Sequence, residues 1–320
     1  MKKVSVIVPV YGVEKYIQKC LDSLVNQTLE DIEIIVINDG TKDNSQIIID
    51  DFKKEYPKKI ISIIKENEGQ AIARNIGTSM ATGEYIMYVD SDDWVDYTML
   101  EKMYNNAKKT KADIVICDHY QVINDKLKYI LGININASQS IDKSFLVSAS
   151  SITCAKLFRK KHLEKSKLKF LEHHVYEDIA TVPAHIIFTS SISHVNEPLY
   201  YYLIREGSTM NQITYNKKLE DIFDSMDNII TIFQKYNKDK KYIEELEYLY
   251  IIHLLHEATL RFIKFDNYRV NINKIIAIMK KKFPNWSKNK YYKKENIKYK
   301  IICRLVMMNQ IKLVKMLIKG

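Results

Sequence analysis

The sequence lacks the features that mark several well-known classes of protein. Its four cysteines are scattered and form no C-x-x-C pair, which argues against a disulfide framework and against a zinc site. This cysteine usage fits a reducing compartment, so we expect a cytoplasmic protein. No run of about 18 uninterrupted apolar residues occurs, and no segment is predicted to span a membrane. The apolar stretch near the N-terminus is short and interrupted by Pro9, which favours a first strand over a secretory signal.

Two nucleotide-binding signatures are absent as well. The first predicted strand is not followed by G-x-G-x-x-G, the fingerprint of dinucleotide-binding proteins. A G-x-x-x-x-G-K-[ST] motif is also missing, which argues against a P-loop NTPase. The length suits one large domain with an extension, or two domains.

Arginine is scarce, with 6 residues against 43 lysines, yet the chain carries a formal net charge of +10. Residues 270–320 contain 13 lysines, one arginine and a single acid, Glu295, so the first 269 residues carry a net charge of −3. This asymmetry predicts an anionic partner for the C-terminal stretch, either a membrane surface or a nucleic acid.

The first 120 residues alternate between apolar strand patterns and amphipathic helix patterns. Strands are predicted in KVSVIVPV, IEIIVIND, KIISIIK, EYIMYVD and ADIVICDHY, with helices between them. Strands that are apolar throughout and separated by helices predict a mainly parallel, Rossmann-like α/β sheet covered on both faces. The pattern is less regular over 121–210 and becomes helical from about Lys217. We therefore predict an α/β domain over 1–215 and a helical region over 216–320.

Polar and acidic residues follow the first four of these strands. In an open α/β sheet, ligands bind beyond the carboxyl ends of the strands, so these residues are expected to line one site. They are Pro9, Val10 and Tyr11; Asn38, Asp39 and Gly40; Asn67, Glu68 and Gly69; and Asp90, Ser91, Asp92 and Asp93.

The acidic motif YVDSDDW indicates a divalent cation. Residues two apart in an extended chain point the same way, so Asp90 and Asp92 are predicted to face one site. Two carboxylates suit Mn²⁺ or Mg²⁺, whose remaining positions go to water and to substrate phosphates. The alternative is that Asp92 or Asp93 caps the helix that begins near Asp96.

Several ordered motifs give the sequence a closer likeness. VSVIVPVYGVEKYIQKCLDSLVNQT, EIIVINDGTKDNS and NEGQAIARNIGTSMATGEYIMYVDSDDW follow one another within residues 3–100. In this order they resemble the inverting family-2 glycosyltransferases with the GT-A nucleotide-sugar-binding fold. Shorter matches recur at YED and YYYLIREGST, so the resemblance covers about two-thirds of the chain and ends near residue 215.

The resemblance implies a nucleotide-sugar site and a role for several of its residues. Tyr11 would lie against the base, Asp39 would hydrogen-bond the uracil, and Arg74 would approach the same base. Asp90 would hold the ribose or the metal, and Asp92 would bind the metal on the diphosphate. The complete predicted site consists of Pro9, Val10, Tyr11, Glu14, Asp39, Asn67, Gly69, Arg74, Asp90, Ser91, Asp92 and Arg205.

Structural alternatives stay open for these residues. Pro9 can simply end a strand, and Tyr11 can simply pack. Asp39 precedes a glycine and suits a turn whatever its ligand, and Glu14 can begin the first helix.

Inverting transfer is a single displacement at the anomeric carbon, and it needs a base that takes the proton of the acceptor hydroxyl. The segment HHVYEDIATVPAHI supplies Glu177 and Asp178 at the start of a predicted helix. The resemblance places the base at Asp178, with Glu177 as its support or as an acceptor contact. The alternative is that the two acids only complement the helix macrodipole. His173 and His174 are interpreted as solvated loop residues and not as metal ligands.

Arg205, with Ser208 and Thr209, is predicted to form a loop that closes over the diphosphate. A cation there would stabilise the leaving group. The alternative is an exposed charge after an edge strand.

The C-terminal stretch mixes lysines with aromatic residues and ends in an apolar stripe at helical spacing. The aromatic residues are Trp286, Tyr291, Tyr292 and Tyr299, and the stripe is Ile301, Leu305, Met308, Ile311, Val314 and Ile318. A basic amphipathic helix with interfacial aromatics is typical of peripheral binding to an anionic membrane. The alternative is a helix that packs its stripe on the domain or on another subunit of a homo-oligomer.

We therefore expect an inverting, metal-dependent hexosyltransferase that uses a UDP-sugar in the synthesis of a bacterial cell-surface glycan or glycoprotein. The acceptor would be a glycan, a lipid-linked molecule or a protein. The alternative is a non-catalytic nucleic-acid-binding protein, suggested by a pI of about 9.1 and by aromatics among the lysines. The net charge of −3 over residues 1–269 and the acidic strand ends disfavour it. A sugar-nucleotide pyrophosphorylase is a third hypothesis, but the first strand is not followed by a glycine-rich basic loop.

Overall fold

A computed structural model describes residues 2–133, 147, 149, 151–205 and 214–319. The chain divides into two compact units, Met1–Asn211 and Gln212–Gly320. The loop predicted around Ser208 and Thr209 lies outside the described residues.

The described strands of the first unit form one nine-stranded sheet. They are β1 (Val4–Val10), β2 (Ile32–Asn38), β3 (Ile60–Ile64), β4 (Tyr85–Tyr88), β5 (Trp94–Val95), β6 (Ile114–Ile123), β7 (Lys126–Ile130), β8 (Lys156–Arg159) and β9 (Ile192–Leu203). Their order is β3-β2-β1-β4-β8-β6-β9-β5, with β7 paired to β6.

The first half of the sheet is parallel, which confirms the prediction from alternating strands and helices. β1 pairs in parallel with β2 and β4, and β2 pairs in parallel with β3. The carboxyl ends of these four strands therefore meet at one edge of the sheet. The second half is mixed, because β8 runs antiparallel between β4 and β6. β9 is parallel to β6 and antiparallel to β5.

Helices cover both faces of the sheet. In the first unit the described helices are α1 (Ile17–Val25), α2 (Ser45–Glu55), α3 (Gln70–Met80), α4 (Met99–Thr110), α5 (Lys160–Ser166) and α6 (Glu177–Phe188). Val6 and Val8 of β1 join a buried cluster with Leu21 of α1. Ile7 points to the opposite face, where a Cβ added to Gly77 of α3 would lie 2.5 Å from Ile7 Cγ2. Because both faces of β1 are buried in this way, the strand is apolar along most of its length.

The described part of the second unit is helical. Its helices are α7 (Asp221–Lys235), α8 (Ile243–Tyr250), α9 (Thr259–Phe262), α10 (Tyr268–Lys282), α11 (Ile297–Met307) and α12 (Ile311–Lys319). A π-helical segment, Ile251–Ala258, joins α8 to α9. None of the helices in the described ranges is both long enough and apolar enough to cross a bilayer. The four cysteines of the chain are free and buried.

Two of the four aromatic residues of the C-terminal stretch are buried, so the prediction of an interfacial position is wrong for Trp286 and Tyr292, whereas Tyr291 and Tyr299 are half-buried. Trp286 and Tyr292 are buried, and Tyr292 Oη donates to the carbonyl of Lys300 at 3.1 Å. Tyr291 Oη donates to Glu245 Oε1 at 2.6 Å. Tyr291 thus connects the C-terminal stretch to α8, and Tyr292 connects two parts of the stretch itself.

The predicted single amphipathic helix is also wrong, because the chain breaks between α11 and α12. Asn309 adopts a φ of +57° there, a conformation that asparagine tolerates better than most residues. The break divides the predicted stripe: Ile311 and Val314 are buried, whereas Ile301 and Met308 are exposed.

Candidate active site

The acidic motif forms a tight turn after β4. The backbone N–H of Asp93 donates to the carbonyl oxygen of Asp90 at 3.0 Å, so the motif is not the extended chain that the sequence interpretation assumed. Asp90 and Asp92 are still electrostatic neighbours. Burial raises the pKa of Asp92, and the charge of Asp90 raises it further.

Asp93 attaches β9, the last strand in the chain, to this turn. Its buried carboxylate accepts hydrogen bonds from Tyr200 Oη at 2.5 Å and from the backbone N–H of Leu203 at 2.8 Å. Tyr200 Oη also accepts from the backbone N–H of Asp90 at 3.2 Å. Burial, together with the charges of Asp92 and Asp90, raises the pKa of Asp93 well above its usual range. Asp93 therefore has a structural role in fixing β9.

Arg74, a buried residue of α3, joins two predicted site residues. Its Nη2 lies 2.6 Å from Asp90 Oδ1, and its Nη1 binds Glu177 Oε1. Gln70, one turn earlier on α3, donates to the same Glu177 oxygen. Burial alone would lower the pKa of Arg74, but the charges of Asp90 and Glu177 outweigh burial and raise it well above its usual value. The guanidinium thus holds the acidic turn and the start of α6 together.

Asp178 follows Glu177 in the first turn of α6 and is half-buried. Burial raises the pKa of Asp178 to about 7, and the neighbouring charge of Glu177 acts in the same direction. A carboxylate with a pKa near neutrality can both accept and release a proton under physiological conditions. The alternative that these acids only complement the helix macrodipole does not account for the contacts of Glu177 with Arg74 and Gln70.

Asp92 pairs with the arginine at the end of β9. Arg205 Nε lies 2.8 Å from Asp92 Oδ2, and the guanidinium carbon lies 4.9 Å from the centre of the Tyr16 ring. The alternative role for Asp92 or Asp93 as a helix cap is not observed. Instead, Asp96 accepts from the backbone N–H of Thr98, which directly precedes α4.

The donor set of Asp90 and Asp92 fits a divalent cation. The two arginines engage Asp90 Oδ1 and Asp92 Oδ2, which leaves one oxygen on each carboxylate free of side-chain donors within the described ranges. The same ranges contain no group of three or more His, Cys, Asp or Glu side chains that could hold a metal. The protein would therefore contribute only two ligands, as is usual for Mg²⁺ held together with substrate phosphates.

Asp39, at the end of β2, organises the loop between β3 and α3. Its Oδ1 accepts from Lys65 Nζ at 2.7 Å and from the backbone N–H of Glu68 at 3.0 Å. Its Oδ2 accepts from the backbone N–H of Gly69 at 2.8 Å. Gly69 has a φ of +100°, which other residues rarely adopt, so glycine permits this loop. The uracil contact implied for Asp39 stays a prediction.

The first strand end contributes residues of contrasting exposure. Pro9 and Val10 are the last, buried residues of β1, whereas Tyr11 directly after them is 55% exposed. A base could reach the Tyr11 ring without displacing protein, and its predicted contact stays a prediction.

Three further predicted residues have no described contact with Arg74 or with α6. Glu14 Oε2 accepts from the backbone N–H of Asn44 at 2.9 Å, which favours its structural alternative. Asn67 is exposed in the loop before α3, and Ser91 is buried within the acidic turn. Their predicted donor contacts stay predictions.

The adjacent histidines lie in the loop before α6. His173 is exposed, and His174 Nδ1 lies 2.7 Å from the carbonyl oxygen of Glu172. This placement agrees with solvated loop residues.

Sequence reasoning missed three side chains that support the site, Lys65, Gln70 and Tyr200, and a buried lysine, Lys156, whose charge interacts with that of Asp178. Lys156 of β8 is buried, its Nζ donates to the carbonyl of Ile152 at 2.6 Å, and burial lowers its pKa to about 8. Lys156 belongs to no motif with a chemical signature, and Tyr200 begins the matched segment YYYLIREGST without a predicted role. Gln70 could have been suspected, because it precedes Arg74 by four residues and so shares its helix face.

Comparison with known proteins agrees with this geometry. Residues 5–167 match the family described as glycosyl transferase family 2. The putative glycosyltransferase EpsH of Bacillus subtilis is 34% identical over 262 residues, covering 78% of this chain and 74% of EpsH. The poly(ribitol-phosphate) beta-glucosyltransferase of Bacillus spizizenii is 32% identical over 72% of this chain.

Several curated relatives are much longer than this chain. It spans 36% of the length of that glucosyltransferase, and between 28% and 36% of three relatives altogether.

Solved structures agree on the fold. The crystal structure of residues 1–349 of S. aureus TarS in complex with UDP covers 97% of this chain, and this chain covers 91% of it, with a TM-score of 0.66 at 18% identity. The same fragment in complex with UDP-GlcNAc has a TM-score of 0.64. The family match, the EpsH identity and the sheet with its acidic strand ends together show that this chain belongs to glycosyltransferase family 2, with a GT-A fold.

Proposed function

We propose that the enzyme transfers a hexose from a UDP-sugar to a hydroxyl acceptor, with inversion at the anomeric carbon, in the synthesis of a bacterial cell-surface glycan or glycoprotein. The UDP and UDP-GlcNAc complexes of TarS support a UDP-linked donor. The name of the poly(ribitol-phosphate) beta-glucosyltransferase supports a hexose and a surface polymer. The observation that carries the proposal is the buried Arg74, which connects the acidic turn at Asp90 with Glu177 beside Asp178.

Asp178 is the proposed base. With its pKa raised to about 7 by burial, it is basic enough to take the proton of an acceptor hydroxyl as that oxygen attacks the anomeric carbon. Glu177 positions Asp178, because its own carboxylate is fixed by Arg74 and Gln70 at the start of α6.

Asp90 and Asp92 are the residues that would hold Mn²⁺ or Mg²⁺. Such an ion, when bound, would neutralise charge on the diphosphate leaving group. Arg205, which neutralises Asp92 in this structure, is close enough to contribute its charge to the same group.

The nucleic-acid-binding alternative is not favoured. Membership of a transferase family and the net charge of −3 over residues 1–269 both argue against it.

A donor screen tests the proposal. The full chain, incubated with Mn²⁺ and each of a panel of UDP-hexoses and other nucleotide sugars, should release UDP with at least one UDP-hexose and an acceptor extract from bacterial envelopes. NMR of the product should show an anomeric configuration opposite to that of the donor. A retained configuration, or a preference for a donor that is not UDP-linked, would contradict the corresponding part of the proposal.

Two perturbations separate the base from the metal site. Asp178→Asn should abolish transfer and leave UDP binding, measured as a thermal shift, unchanged. Chelation by EDTA should stop transfer by the wild type, and Mn²⁺ should restore it. As a matched control, Glu172→Gln alters an exposed acid of the neighbouring loop and should retain activity. Undiminished turnover by Asp178→Asn would remove Asp178 from the mechanism, and transfer that resists EDTA would exclude an accessible metal.

A further inference from the structure

The last two helices of the second unit, which we call the C-terminal helix pair (residues 296–319), are anchored by a few buried side chains. Ile302, Cys303 and Val306 of α11 are buried, as are Ile311 and Val314 of α12. The side chains on the outer faces therefore occupy defined positions on a folded surface.

The outer faces of the pair are unusually apolar. Seven large apolar side chains are exposed: Ile297, Ile301, Met308, Leu313, Met316, Leu317 and Ile318. Residues 297, 301 and 308 share one face of α11 by helical spacing, and residues 313, 316 and 317 share one face of α12. Exposure reaches 73% at Ile297 and 70% at Met316, so the residues that the structure describes do not cover these side chains. Grouped apolar side chains on a protein surface mark an interaction site.

The same segment carries charge of one sign only. Residues 296–319 contain five lysines and one arginine and no carboxylate side chain. Lys298 and Lys312 are exposed next in sequence to the exposed Ile297 and Leu313, and Arg304 is exposed on α11. A surface that is both basic and apolar has the chemistry of helices that lie in the interface of an anionic bilayer.

We propose that the C-terminal helix pair docks the enzyme on the surface of a bilayer that contains anionic lipids. The apolar side chains would enter the boundary between head groups and acyl chains, and the basic side chains would face the lipid phosphates. The buried positions of Trp286 and Tyr292 show that aliphatic side chains, and not aromatic ones, would make the apolar contact.

Two other partners, a second copy of the chain and a nucleic acid, match this surface less well. In a symmetric dimer the same patch meets itself, and six cations would face six cations without one carboxylate between them. Single-stranded nucleic acids are bound by exposed aromatic rings that stack on bases, whereas Trp286 and Tyr292 are buried. An anionic bilayer is the partner that matches both the charge and the aliphatic character.

Vesicle binding tests this proposal without donor or acceptor, so its outcome is independent of the proposed function. The full chain is sedimented with vesicles of phosphatidylcholine alone or of phosphatidylcholine mixed with phosphatidylglycerol. We expect binding only to the mixed vesicles, weakened by salt because the attraction is electrostatic. Lys298→Gln with Lys312→Gln should lower the partition coefficient about 25-fold, since each basic residue near an anionic surface contributes about a fivefold factor.

Substituting the apolar side chains gives a second, independent measurement. Leu313→Gln with Met316→Gln should lower the partition coefficient by roughly tenfold or more, because two partly exposed side chains no longer enter the bilayer. Both side chains are exposed, so the unfolding transition of this variant should match that of the wild type. As a matched control, Lys53→Gln with Lys54→Gln removes the same charge from exposed positions of α2 and should bind vesicles like the wild type.

Four outcomes would overturn the proposal. They are absence of binding to the mixed vesicles, equal binding to neutral vesicles, equal loss of binding in the α2 control, and undiminished binding by both helix-pair variants. Sedimentation without lipid tests the competing occupant: a dimer that Leu313→Gln with Met316→Gln converts to a monomer would assign this surface to a second copy of the chain.

Discussion

Replacing Arg74 by methionine should destabilise the first unit severely, because Arg74 neutralises a carboxylate that water cannot reach. Glu177 is 2% exposed, whereas Asp90 is 27% exposed and can be rehydrated in part. Removing one partner of a buried ion pair costs about 3–5 kcal/mol, and losing a partly exposed pair adds about 0–1 kcal/mol. At about 2–4 °C per kcal/mol for a unit of this size, Tm should fall by roughly 6–24 °C.

Thermal unfolding followed by circular dichroism measures this effect, and a second variant identifies its cause. Arg74→Met with Glu177→Gln should be more stable than Arg74→Met alone, because the second substitution removes the unpaired charge and keeps a partner for Gln70. Lys102→Met is the matched control, since it breaks an exposed pair with Glu197 and should cost less than about 1 kcal/mol. The reasoning is refuted if Arg74→Met unfolds like this control, or if Glu177→Gln only adds to its damage.

Three further predictions concern single positions. Wild-type activity should fall as the pH drops through about 7, because Asp178 must be unprotonated to act as a base. The same raised pKa affects stability, because folding buries the charged form of Asp178 at a cost in free energy above about pH 7. Asp178→Asn should therefore be more stable than the wild type above about pH 7 and no more stable below about pH 4. Urea unfolding at both pH values would check this. Tyr200→Phe should lower the free energy of unfolding by about 1–3 kcal/mol, since the buried Asp93 loses a donor, and an unchanged urea midpoint would contradict this. Gly77→Ala should cost about 1–3 kcal/mol, because the added Cβ clashes with the γ carbons of Ile7. Ile7→Ala removes those carbons, so the double variant should lose less stability than the two single variants added together.

The sequence predicted the parallel half of the sheet because its signal is local. Each of the first four strands is an uninterrupted apolar run, and each is followed by a segment with helical spacing. The antiparallel insertion of β8 could not be predicted in this way. β8 is only four residues long, and its neighbours β4 and β6 precede it by many residues in the chain.

The same limit applies to the candidate site. Sequence placed Asp90, Asp92 and Asp93 in one motif but could not separate their roles, because the partner of Asp93 is Tyr200, which lies on β9. The resemblance placed Arg74 near the base of the donor but did not pair it with Glu177, because that pairing depends on how α3 meets α6.

The lysine-rich stretch shows how composition can mislead. Trp286 was predicted to be interfacial because lysines surround it in sequence, yet its ring packs 4.9 Å from that of Tyr292 inside the second unit. The apolar stripe was read as one helix, because a break at a single asparagine has no strong sequence signal in a run of helix-forming residues.

The hydrogen bonds of Asp93 change how a mutational scan of this motif would have to be interpreted. Substituting any of the three acids could abolish product formation, and an endpoint assay would report three identical failures. Because Asp93 fixes β9, its variants should differ from the others in expression yield and in resistance to proteases. Asp90 and Asp92 variants that accumulate normally but do not turn over would identify the chemical pair, whereas scarce and readily degraded Asp93 variants would report a lost strand attachment.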